Sequence, residues 1–148
     1  MNAARSLPRR ESVWQTPHWR VAHAFDTDLP GWLVAAPTVH VTSMGELTDE
    51  AATEFGLLVQ QLSRALTTVL HAEKAYVMFF AEAAGFAHLH VHVVPRMPDQ
   101  PANERGPQIV SRLGKPVGER LDESTRDDIA ARLHHALAEQ RAGAPAPS

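Results

Sequence analysis

The chain has 148 residues, 44% of them apolar, with 14 basic and 17 acidic side chains and a formal net charge of −3. That is enough chain for one domain with a sizeable core. It excludes two independent domains, a disordered composition, and the strong positive field that a nucleic-acid partner calls for. No cysteine is present, so disulfides and thiolate metal sites are excluded and a reducing cytoplasm is compatible.

Residues 1–17 read as an N-terminal arm, polar, Pro-containing and without periodicity. The opening MNAARSLPRR carries arginines, but no apolar stretch follows that resembles a signal peptide, and no run is long enough to span a bilayer. The expectation is a soluble cytoplasmic protein with no membrane partner. The preference for Arg over Lys and the abundance of Ala fit a bacterial, GC-rich genome.

Residues 18–25, HWRVAHAF, form the first strand candidate, and 32–37, WLVAAP, a second that is buried and ends at Pro37. Between them DTDLPG reads as a turn, because Pro30 and Gly31 break regular structure. Thr48 predicts the start of a long helix, with Asp49 and Glu50 at the positive end of its dipole. Apolar residues recur at helical spacing from Ala51 through Phe55, Leu58, Leu62 and Leu66 to Val69, and the helix should end near Leu70 or His71.

Residues 75–81, AYVMFFA, read as a third strand and 86–95, FAHLHVHVVP, as a fourth closed by Pro95. Residues 98–120 read as a long surface loop, with a short helix near Ile109 to Leu113. A C-terminal helix occupies 121–142, capped around Ser124 with Asp127 three residues on, and carries Ile129, Leu133 and Leu137 as its apolar stripe. Gly143 stops it, and 143–148 is a disordered tail. Hairpins dominate this order, so the class is α+β with a mostly antiparallel sheet.

The segment HLHVHVVPR, residues 88–96, carries the chemistry. Side chains alternate along a strand, so His88, His90 and His92 share one face and Leu89, Val91 and Val93 the other. Neighbouring imidazoles then stand roughly 6.5 to 7 Å apart along the backbone. The residues leave three readings open. The strand has a polar face that happens to be histidine. Or two or three of these histidines bind a metal such as zinc, completed by His40 or Glu82. Or a neutral imidazole attacks phosphorus while its neighbours bind the phosphoryl oxygens and assist the leaving group.

This segment resembles the histidine triad pattern His-φ-His-φ-His-φ-φ, with φ apolar, at every position. The upstream segment PGWLVAAPTVHVTSMGELTDEAATEF, residues 30–55, is similar to that of the same family. It has a Pro-Gly turn, a strand ending in Pro, a His three residues on, and Leu-Thr-Asp-Glu opening a long helix. The resemblance covers roughly 18–97, the core domain, and implies a histidine triad fold. It also implies a nucleotide hydrolase or nucleotidyl transferase that acts at the α-phosphate through a covalent nucleotidyl-histidine, as in nucleoside phosphoramidases or dinucleoside polyphosphate hydrolases. By that resemblance His90 is the nucleophile and the carbonyl of His88 holds its other ring nitrogen. His92 contacts the phosphate and leaving group; its being His and not Gln points to the hydrolase-like branches. No metal or cofactor is implied. The partners are a nucleotide or other small-molecule substrate and a second copy, as a homodimer joining two five-stranded sheets.

The chain departs from the family at several positions. Trp32 stands where a fourth histidine is usual, and an indole cannot accept a proton as imidazole can. Ala83, Ala84 and Gly85 replace a Gly-Gln-Ser/Thr type segment, leaving the Gly85 backbone N–H as the candidate phosphate contact. Ala24 replaces the polar residue that meets the ribose, and Asp26, expected on the same strand face, is the candidate substitute. Phe25 and Trp32 are read either as core or as walls of the substrate site. These departures keep two alternatives in view: a nucleotide-binding module with weak or no catalysis, and an enzyme using the triad for acid–base chemistry on a non-nucleotide small molecule.

Overall fold

The computed structural model describes residues 6–80, 82 and 88–143. Five strands form one antiparallel sheet: β1 (Trp14–Gln15), β2 (Trp19–His23), β3 (Leu33–Pro37), β4 (Lys74–Met78) and β5 (Val91–Arg96). Their spatial order is β1-β2-β3-β5-β4, so β5 lies between two neighbours and β4 is an open edge. The helices α1 (Asp49–Leu70) and α2 (Glu123–Ala142) cover one face.

The α1 helix forms where its pattern predicts. The Thr48 side chain accepts the Ala51 N–H at 3.2 Å, and His71 ends the helix in the left-handed region at φ 62°. Its buried stripe, with Leu58, Leu62 and Leu66, meets Leu33, Ala35, Val91 and Val93 from the sheet, Leu89 just before β5, and Leu133 and Leu137 from α2. Each fully buried Leu contributes about 1.5–3 kcal/mol. That burial settles which face of the histidine segment turns inward: the apolar one.

Several expectations are corrected. The segment read as an arm supplies β1, which pairs with β2, and Val13 beside it is fully buried. Arg10 further ties this segment to α2 through Asp127 at 2.9 Å. So Asp127 is a tertiary partner and does not close a capping box with Ser124. The cap of α2 is Asp122, whose carboxylate accepts the Thr125 N–H at 2.7 Å. The third strand stops at Met78, leaving Phe79 and Phe80 beyond it. The fourth runs through Pro95 to Arg96. Its pairing with β3 ends at Val93, so Pro95 sits where that side of the strand is an edge and a missing N–H is tolerated.

The opposite face of the sheet holds a smaller cluster of Ala24, Leu29, Trp32, Val94 and Ile109. The segment after β5, read as a loop, covers it with short 3-10 turns, the longest being Gly106–Arg112. Ile109 is fully buried there. This cover is fastened to the β2–β3 turn. Thr27 donates its hydroxyl to the Arg112 carbonyl at 2.7 Å, Asp28 meets Arg112 at 2.5 Å, and the Asp26 carbonyl accepts the Lys115 N–H at 2.9 Å. Among the described residues no helix is long and apolar enough to cross a membrane.

Candidate active site

Only His92 of the three histidines lies within β5; His88 and His90 precede the first paired residue, Val91. Alternation nevertheless extends back through them, because Leu89 and Val91 are both anchored in the core. A backbone bond from the Leu89 N–H to the Val41 carbonyl at 2.8 Å holds the segment against the β3–α1 connection. All three histidines are partly buried, on the face away from the helices.

His90 Nδ1 lies 2.8 Å from the His88 carbonyl oxygen. A carbonyl only accepts, so Nδ1 carries the hydrogen and Nε2 keeps its lone pair. The ring that the resemblance names as nucleophile is therefore held in the tautomer that can attack. The His92 ring stands edge-on to it, with centroids 5.2 Å apart.

His92 has a second partner. The Trp32 indole Nε1–H donates to His92 Nδ1 at 2.9 Å. The pairing of β3 with β5 sets Val34 opposite His92, and Trp32, two residues earlier, shares that face. Trp32 is fully buried, so it packs beneath the histidines and does not line a substrate cleft. Burial, followed by the neighbouring charge of His90, pushes the His92 imidazole down to about 4, against a smaller upward pull from Asp26.

The other residues singled out by sequence fall as follows. Asp26 lies past the end of β2, in the turn and not on the strand face, yet near enough to bias His92. Phe25 is 57% exposed and belongs to no core cluster; Arg120 lies over its ring at 5.3 Å. Gly85 lies outside the described residues. His40, named by sequence as one completion of a metal site, stacks on His88 with Nδ1 atoms 3.0 Å apart, so one of these nitrogens donates and the other accepts. Ala24 is buried in the cluster around Trp32. His23 is also buried: its Nδ1–H donates to the Ala24 carbonyl at 2.8 Å and its Nε2 accepts the Gly31 N–H at 2.9 Å. It fixes the turn that delivers Trp32.

The role of Trp32 towards His92 had no sequence signal beyond its place after the Pro-Gly turn, since the two residues are 60 apart in the chain. Among the described residues no three His, Asp or Glu side chains converge on a common point suited to a metal ion. The Nδ1 atoms of His90 and His92 are already engaged by a carbonyl and an indole.

A family model described as the HIT domain matches residues 9–99. Among solved structures, a histidine triad protein from Sinorhizobium meliloti shares 24% identity at TM-score 0.70, covering 84% of this chain and 87% of that one. One from Marinobacter aquaeolei shares 21% at TM-score 0.70, covering 86% and 88%. A zinc-bound histidine triad family protein from Mycobacterium smegmatis shares 17% at TM-score 0.66, covering 94% and 90%. A search of curated proteins returns no match. These likenesses extend to the fold, and the family model spans more than half the chain, from the segment before β1 to just past β5. The chain belongs to the histidine triad family.

Proposed function

We propose that this protein is a nucleotide hydrolase or nucleotidyl transferase acting at an α-phosphate through a covalent intermediate on His90. The observation that carries the reading is the bond from His90 Nδ1 to the His88 carbonyl at 2.8 Å, which leaves Nε2 as a free lone pair beside His92. Attack by Nε2 on phosphorus forms a P–N bond as the leaving group departs with its electron pair. Water or an acceptor then breaks the P–N bond and returns the pair to His90. His92 and the backbone near Gly85 serve the phosphoryl oxygens, and Asp26 serves the ribose or the site's charge balance. Phe25 has no part in this site: it lies with Arg120 and the start of α2, in a hollow that no triad histidine lines.

The active form is a homodimer. The open edge of β4 supports this, with Val77 44%, Phe79 38% and Phe80 71% exposed beside it, an apolar edge of the kind a second copy covers. The test is incubation with adenosine and guanosine phosphoramidates, dinucleoside polyphosphates and adenylyl sulfate, followed by acid-free quenching and mass spectrometry. The expected result is turnover with a nucleotidyl adduct on His90. Absence of both turnover and adduct across the panel overturns the reading.

A further inference from the structure

We infer that Trp32 is a positioning residue that locks His92 as a neutral imidazole with its hydrogen on Nε2. The site therefore favours nucleotidyl substrates whose leaving group departs as an anion over those whose leaving group must be protonated. This rests on the function proposed above and narrows its substrate class.

An indole N–H can only donate. At 2.9 Å from His92 Nδ1 it requires that nitrogen to be the acceptor, so the single hydrogen of the neutral ring lies on Nε2. Protonating Nδ1 would set two N–H groups against each other in a buried place. The other groups around His92 do not relieve this. Val34 and Met78 flank it on the neighbouring strands and cannot titrate. His90, edge-on at 5.2 Å, adds positive charge if protonated. Asp26 is the one acid that pulls the other way, and burial outweighs it. The balance pushes His92 down to about 4, so the neutral ring prevails at pH 7.

The consequence depends on the bond being broken. When the leaving group is phosphate or polyphosphate, the P–O bond breaks and oxygen leaves with the electron pair as a stable anion. It needs only a hydrogen bond, which His92 Nε2–H supplies. When the leaving group is an amine, nitrogen must gain a proton as the P–N bond breaks. A neutral imidazole N–H is too weak an acid to give one, and its imidazolium form is scarce. A histidine in the place of Trp32 could accept or donate; the indole removes that freedom.

Two measurements on the full-length protein test this. Long-range proton–nitrogen NMR of the histidine rings is expected to show His92 as the Nε2–H tautomer from pH 5 to 8, and Trp32→Phe to mix the tautomers and raise its titration point. Matched substrates of one nucleoside, a 5′-phosphoanhydride and a 5′-phosphoramidate, are expected to differ in kcat/KM by at least a hundredfold in favour of the anhydride. Trp32→Phe should narrow that ratio at least tenfold at pH 6. An imidazolium or Nδ1–H form of His92 in the parent protein overturns the inference, as does equal turnover of both substrates. An unchanged ratio in a folded Trp32→Phe protein does so too. If that variant does not fold, the parent protein's tautomer and substrate ratio decide. If neither substrate is cleaved, the proposed function fails, and the tautomer still decides whether Trp32 locks His92.

Discussion

Acid should destabilise this protein through a histidine outside the triad. His23 is 4% exposed and uses both ring nitrogens in the neutral form, Nδ1–H to the Ala24 carbonyl and Nε2 to the Gly31 N–H. A proton on Nε2 would face the Gly31 N–H in a buried space. Burial is the main reason that its imidazole is pushed down to about 4, with Arg126 adding to it and the bond to Ala24 opposing. In the unfolded chain the same ring titrates near 6.5. Between those values the unfolded state holds more protons than the folded one. Stability is therefore full above pH 6.5, falls as pH drops towards 4, and levels off below. At 1.36 kcal/mol per pH unit, the gap between 6.5 and about 4 amounts to about 3 kcal/mol. Urea unfolding at fixed protein concentration and pH 7.5, 6.5, 5.5 and 4.5 measures it. His92 adds a fall of the same sign, so the comparison is with His23→Gln, which keeps a donor and an acceptor but cannot titrate. The variant should start lower at pH 7.5 and lose stability less steeply with acid. Parallel pH profiles for the two proteins would refute the assignment to His23.

Three further outcomes are expected. His90→Ala should lower turnover by more than a thousandfold while leaving the unfolding free energy within about 1 kcal/mol of the parent, since the ring is only partly buried; steady-state kinetics and urea unfolding check both halves. Gly31→Ala should cost about 1–3 kcal/mol and disturb the Trp32–His92 bond, because Gly31 sits at φ 90° and a Cβ there would lie 2.4 Å from Leu70 Cδ1; thermal unfolding and Trp fluorescence report it. Phe80→Glu should shift the protein from dimer to monomer in sedimentation velocity, since it puts a charge on an apolar edge that a partner would cover.

Much of this protein was legible locally. Thr48 as helix cap, the α1 stripe, the β2–β3 hairpin and the turn at Gly31 depend on neighbours within a few residues, and so does the shared face of His88, His90 and His92. Even the bond from His90 to the His88 carbonyl spans only two residues. Other features needed the fold. β1 is two residues long and carries no pattern; it exists because Val13 and Trp14 have β2 and α2 to pack on. Capping falls to Asp122 and not to Ser124, because the helix begins at Glu123, while Asp127 pairs with Arg10, 117 residues away. His40 reaches His88 across 48 residues, and Trp32 reaches His92 across 60. The sequence alone determined that three imidazoles share one face, since backbone alternation is a local property. Only the tertiary structure decided what each imidazole can do, because that depends on which donor or acceptor the sheet register sets against its second nitrogen.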